Sequence, residues 1–149
     1  MENIDIIEIG KYHLGCYHLK GTFKGQHISE IPFVVPAHGL STNLLGIKER
    51  DGWLESIYPR NKKYSVNLLS TAIELTLQGL CAIYIPDFVA KIVNATRGAK
   101  HMLIEHPLPK DKKILQRAFI LKHKDQVEDA RFKKLTKIIK DTISASHSV

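Results

Sequence analysis

The features that most readily place a protein are scarce in this chain. No run approaches the roughly eighteen uninterrupted apolar residues of a membrane span. The opening Met1-Glu2-Asn3-Ile4-Asp5 is acidic where a secretory signal would be basic and then apolar. A cytoplasmic location is therefore expected, with no membrane partner. Cysteine is limited to Cys16 and Cys81, both inside apolar, strand-like runs where a thiol behaves as a small hydrophobe, so a disulfide framework is not expected. Asn94-Ala95-Thr96 matches a glycosylation sequon, which has no meaning in a chain that stays in the cytosol. A Gly-rich phosphate loop, a nucleophile elbow and a paired-carboxylate motif are all missing. Gly79-Leu80-Cys81-Ala82 precedes a strand, whereas a dinucleotide fingerprint would follow one. Hydrolase, kinase and oxidoreductase chemistry have no residues to rest on, and the chain is not expected to be an enzyme. Internal repeats and low-complexity segments are absent too.

What is present suits one ordinary domain or two small lobes: 149 residues, 44% of them hydrophobic. The formal charge of +7 would suit a nucleic-acid binder, so its distribution matters. Much of the excess lies late, from Lys100 through Lys140, but Asp111, Asp125, Glu128, Asp129 and Asp141 interrupt it. A solvated helix face is favoured over phosphate contact. The alternative is a basic α/β protein that binds nucleic acid or a protein partner through its lysine-rich C-terminal helix.

Residues 4–20 are rich in Ile, Tyr and Leu and broken by Gly10 and Gly15, which predicts one long or two short strands with a kink or bulge. Pro32-Phe33-Val34-Val35-Pro36 is a strand bracketed by prolines. Residues 41–55 carry a helical pattern interrupted near Asp51-Gly52. Lys63-Tyr64-Ser65-Val66 alternates as a short strand and runs into Asn67, a good N-cap for a helix through Leu68, Leu69, Ala72, Ile73 and Leu77, which Gly79 stops. Leu80-Cys81-Ala82-Ile83-Tyr84-Ile85 is apolar without alternation, as in a strand covered on both faces. Asp87 can cap a short helix that Gly98 closes. Strands follow at residues 102–105 and 115–121. A final helix puts Val127, Leu135, Ile138, Ile139 and Thr142 on one stripe, with acids early and lysines late, matching the helix dipole. Strands alternating with helices argue for an α/β fold with a substantially parallel sheet.

Eight histidines invite a metal reading. In an extended strand, however, His13 faces opposite to Cys16 and His18, and His101 opposes His106, so no metal site and no cofactor are expected. Asp51, Glu55, Glu74 and Glu105 are scattered and read as solvated acids. Ligands in open α/β sheets bind outside the carboxyl ends of strands. Two such places stand out: Val35-Pro36-Ala37-His38-Gly39, after the bracketed strand, and Val66-Asn67-Leu68, at a helix N-terminus able to receive an anion. Each could equally be plain structure, the first an ordinary turn and Asn67 a helix cap.

In order and spacing these segments resemble the distal part of the sensor domain of LysR-type transcriptional regulators. The passage from Val66-Asn67-Leu68-Leu69 through Gly79-Leu80-Cys81-Ala82-Ile83-Tyr84-Ile85-Pro86-Asp87-Phe88 looks like that family's helix, glycine, apolar strand and proline. Gly10-Lys11-Tyr12-His13-Leu14-Gly15-Cys16-Tyr17 resembles the strand entering the second lobe, and Ile28-Ser29-Glu30-Ile31-Pro32-Phe33-Val34 its short helix and next strand. Phe119-Ile120-Leu121 and the helix with Arg131-Phe132 take the places of the last strand and helix. Cys81 stands where the family commonly has glycine.

The resemblance implies a type 2 periplasmic-binding-protein-like α/β fold: a crossover strand at residues 1–9, a nearly complete second lobe at 10–102, and a partial first lobe with the C-terminal helix at 103–149. It implies an effector cleft lined by Val35, Pro36, Ala37, His38, Asn67 and Leu68. It also implies a homo-oligomer, with DNA reached only through a winged helix-turn-helix that this chain lacks. The cleft contacts of the first lobe's opening units have no counterpart here. His38 and the Asn67 helix terminus favour a small anion or carboxylate as effector. Met102, Leu103, Ile104, Phe119 and Ile120 would then be short of partners, and are expected to fold back on the second lobe or to be shared between copies.

Overall fold

A computed structural model of the chain describes residues 3–37, 51–108 and 114–145. Six strands and three α-helices follow in the order β1 (Ile4–Leu19), β2 (Pro32–Pro36), β3 (Asn61–Val66), α1 (Leu69–Leu77), β4 (Ile83–Pro86), α2 (Asp87–Arg97), β5 (Leu103–His106), β6 (Leu115–His123) and α3 (Ala130–Ser144), with a 3₁₀ turn at Ala99–His101 before β5.

The long β1 organises everything else. Its latter part pairs antiparallel with β4, Cys16 opposite Tyr84, and with β5, Cys16 opposite His106. Its first part pairs antiparallel with β6, Ile6 opposite Leu121, and the register slips between Glu8 and Gly10. A bulge is thus the irregularity that the glycines foretold. Strands β2 and β3 are parallel, and β2 joins β4 through Val34 N–H donating to Ala82 O (3.0 Å) and Ala82 N–H to Pro32 O (2.8 Å). The sheet is therefore mixed, and the expected parallel character holds only across β3, β2 and β4. Alternation of strands with helices says how the chain returns, not which strand it returns to; β4, β5 and β6 all pair with β1, which runs against them.

Two cores lie on the two faces of this sheet, and the strand sequences divide between them as a period of two requires. Tyr17, Val34, Cys81, Ile83 and Ile85 pack with Ala72 and Leu77 of α1 and Ala90 and Val93 of α2. Leu14, Cys16, Phe33, Ala82 and Tyr84 pack with Ile31 and Trp53. Residues 81–85 are all buried, as their unbroken apolar run predicted, although Leu80 is exposed and the strand proper begins at Ile83. Both cysteines are free and buried, and burial raises each thiol's pKa above its ordinary value.

Helix ends depart from expectation in two places. Asn67 does not cap α1: the cap position is Leu68, with extended backbone and no side-chain hydrogen bond. The strand runs to Val66 and the helix begins later than the cap rule suggested. Likewise Pro86, not Asp87, precedes α2, and Asp87 accepts from Phe88 N–H within the first turn. Gly79 (φ 74°) follows the end of α1 and Gly98 (φ 76°) closes α2, both in the left-handed region glycine tolerates. Asn94 replaces a strand neighbour for β5, donating to Leu103 O (2.9 Å) and accepting from Leu103 N–H (2.7 Å). Of the interrupted helix expected at residues 41–55, positions 41–50 lie outside the described residues, and 51–58 form turns and extended chain.

The C-terminal helix is capped by Asp129, whose carboxylate accepts from Phe132 N–H at 2.8 Å. It docks on β1 through Ile143, against Gly10; of the expected stripe only Ile139 and Thr142 are partly covered, while Val127, before the helix, and Leu135 and Ile138 are exposed. Of the residues expected to lack partners, Leu103 is buried in the first core and Met102, Ile104 and Ile120 are partly covered. Phe119 is exposed, with Ile4, Ile6, Leu115 and Leu121. The β1–β6 ribbon therefore has one face under α3 and one apolar face in water. Among the described residues, no helix is long and apolar enough to cross a membrane.

Candidate functional site

Strands β2 and β3 run side by side and end together, Pro36 opposite Val66. The pairing extends one step further, Ala37 N–H donating to Val66 O at 2.8 Å. Two prolines bracket β2 and themselves donate no ladder hydrogen bond, so the strand ends within one residue of Pro36. After Val66 the chain turns through Asn67 and Leu68 into α1, whose first turn thus lies beside the two strand ends. A cavity of about 210 Å³ opens there, bounded by Val35, Pro36, Asn67, Leu68 and Leu69, with Asp51, Tyr84 and Ile85 at its other walls. Val35, Pro36, Asn67 and Leu68, picked out from two separate stretches of sequence, are thus brought to one place. Ala37 adjoins it through its bond to Val66. His38 lies outside the described residues.

Three features of the site were not legible beforehand. Leu68 and Leu69 are largely exposed, so the helix start presents an apolar rim. No side chain among the described residues caps α1, which leaves its first-turn N–H groups to water or to a guest. Asp51 was expected to be a solvated acid, and Glu55 likewise; both instead pair with Arg60. Its Nη1 donates to Asp51 Oδ2 and its Nε to Glu55 Oε1, each at 2.6 Å. The Arg60 side chain is 4% exposed, and its guanidinium sits over the Phe33 and Trp53 rings, 5.3 and 5.1 Å from their centroids. Asp51 therefore reaches the cavity with its charge already matched. No pattern in the sequence hints at this: Arg60 lies nine residues from Asp51 and outside any helical spacing. Tyr84, on the neighbouring strand, has its phenol pushed up to about 12, by burial first and by Asp51 second, so it is a neutral hydrogen-bonding group.

No family model matches the sequence, and no curated protein sequence matches it. The fold does have relatives. The chain is similar to the regulatory domain of HypT from Salmonella typhimurium, at 10% identity and a TM-score of 0.58, over 93% of this chain and 66% of that one. It is similar to the CcmR regulatory domain of Synechocystis PCC6803, solved with 2-PG, at 8% identity and a TM-score of 0.63, over 95% and 67%. It is also similar to Vibrio fischeri DarR, solved with DNA, at 11% identity and a TM-score of 0.63, over 95% and 47%. HypT is described as a hypochlorite-specific LysR-type transcriptional regulator, and DarR as a member of that family. The fold is that of LysR-type regulatory domains, the periplasmic-binding-protein-like fold expected from the sequence. The chain spans about two thirds of those domains and under half of the DarR chain.

Proposed function

We propose that this chain is the effector-sensing region of a LysR-type transcriptional regulator, and that its effector is a small carboxylate or other anion held where β2, β3 and α1 meet. The observation that carries this reading is the joint ending of two parallel strands beside an uncapped helix N-terminus, with an open cavity between them. Exposed backbone N–H groups and the positive end of the helix dipole favour a negative charge. Asp51 opposes it little, because its carboxylate is paired with Arg60, and Glu55, which shares that guanidinium, is also met by Lys62. The role is binding without catalysis: a guest with unequal affinity for two arrangements of the domain shifts their populations, and an attached DNA-binding module would read that shift.

Leu68→Glu tests the anion site. The position is exposed, and an acid at a helix start is mildly stabilising, so the variant stays folded while its carboxylate occupies the place of the guest's. Melting curves with a panel of mono- and dicarboxylates, each at about 100 times its dissociation constant, should show a gain of about 2–3 kcal/mol. That corresponds to several degrees in the native chain, with none in Leu68→Glu. Equal shifts in both, or none in either across the panel, would refute the site.

We further propose that two copies associate through the bare side of the β1–β6 ribbon. Among the described residues β6 bonds only to β1 and the first part of β1 only to β6, so unpaired backbone edges adjoin exposed Ile4, Ile6, Phe119 and Leu121. Sedimentation at micromolar concentration should give a dimer, and Leu121→Lys a monomer. A native monomer at every concentration would end this proposal.

A further inference from the structure

A second, larger cavity of about 430 Å³ lies among the turns that cover the second core, on the face of the sheet away from α1 and α2. Its size is within the range of about 300–1,000 Å³ usual for small-molecule pockets, which the strand-end cavity does not reach by itself. The rings of Trp53, Tyr58 and Tyr84 and the side chains of Ile28, Leu54 and Leu108 make its apolar walls.

Those walls are held in place before any guest arrives. The Trp53 indole donates its N–H to Tyr58 O at 2.6 Å. Its ring packs edge-on to Tyr84, 4.9 Å between centroids, and against Phe33 at 5.6 Å. Rigid aromatic surface is an inexpensive contact, since little side-chain freedom remains to be lost on binding. The polar groups on the lining are Gln26, His27 and His106, with the hydroxyls of Tyr58 and Tyr84. Among the described residues no lysine, arginine, aspartate or glutamate lines the cavity. Among the described lining residues a charged guest would give up its hydration with no counter-ion to meet it, whereas an amide could be met by Gln26 or His106. Burial, with His18 and His27 nearby, lowers the His106 pKa and so keeps that imidazole neutral, able to donate or accept.

We propose that this cavity is a second ligand site, specific for an uncharged, flat, largely apolar molecule carrying one amide-like hydrogen-bonding group. It shares the Tyr84 wall with the strand-end site but otherwise differs in place and in charge preference, and it stands whether or not that site binds anions.

The single tryptophan of the sequence is Trp53, so one indole N–H resonance of the ¹⁵N-labelled chain reports on this cavity. Cinnamamide and cinnamate are probes of equal size that differ in charge. Cinnamamide should move the resonance and saturate by about 5 mM, as expected for a ligand of its size. Cinnamate should bind at least tenfold more weakly. Leu54→Arg, at a partly exposed wall position, should weaken cinnamamide at least tenfold while the resonance keeps its folded position. Leu108→Arg repeats that test from another element, and Leu68→Glu should leave cinnamamide binding unchanged. An unmoved resonance at about 10 mM cinnamamide, equal affinity for cinnamate, or full binding by both arginine variants would each overturn the proposal.

Discussion

Replacing Arg60 with methionine probes a buried charge cluster next to the proposed strand-end site. The substitution keeps most of the apolar stem that packs on Phe33 and Trp53 and removes the guanidinium that bonds Asp51 and Glu55. Breaking a fully buried pair from one side costs about 3–5 kcal/mol, because the remaining charge has no counter-ion. Here the Asp51 and Glu55 side chains retain 11% and 20% exposure and can partly rehydrate, so about 2–3 kcal/mol is expected. With a urea dependence near 2 kcal/mol per molar, the unfolding midpoint should fall by roughly 1–1.5 M. The informative control is the triple variant that adds Asp51→Asn and Glu55→Gln. The introduced amide oxygens can still accept from the backbone N–H of Trp53 at the first position and from the backbone N–H of residue 60 at the second, the two local bonds that the carboxylates make. With no charge left unpaired, the triple variant should lie within about 1 kcal/mol of the native chain. If Arg60→Met costs less than about 1 kcal/mol, or the triple variant is as unstable as the single one, the cluster is not held by charge pairing.

Gly10 and the C-terminal helix provide a steric test: a Cβ at Gly10 would stand 2.8 Å from Ile143 Cγ2. Gly10→Ala should therefore cost about 1–3 kcal/mol, and part of that should return in the double variant with Ile143→Ala; simple additivity in urea unfolding would show that α3 does not dock there. His106 provides a pH test. Its folded pKa lies below the unfolded value of 6.5, so the unfolded state takes up more protons as the pH falls through that window. The His106 contribution is thus fully present above about pH 6.5 and is lost progressively as the pH falls below it toward the lowered folded pKa. The native chain should lose more stability between about pH 8 and pH 5 than His106→Gln, and parallel losses in the two would refute this.

The division between what could be read from the residues and what could not follows the range of the interactions. Strand limits at the two prolines of β2, the stop at Gly79 and the buried run of residues 81–85 depend on a residue and its near neighbours, and all were visible. The meeting of Pro36 with Val66 was visible only as two separate candidates; that they share a cavity depends on β2 and β3 being adjacent and parallel. Partner choice misled most. Strands β4, β5 and β6 pair with β1 across the length of the chain, and no local pattern distinguishes that from a parallel sheet. The same holds for Arg60. Its side chain looks like one more surface cation until the fold places it over two aromatic rings and between two acids that looked equally ordinary. Asn67 shows the opposite error, a local rule applied where the chain overrode it. Leu68 takes the cap position and supplies no acceptor, so among the described residues no side chain caps the first turn of α1, which lines the cavity. A position that breaks a capping rule beside an open pocket costs the helix stability. At this site the departure from the rule, more than the rule itself, is what supports the proposal of a guest at the helix terminus.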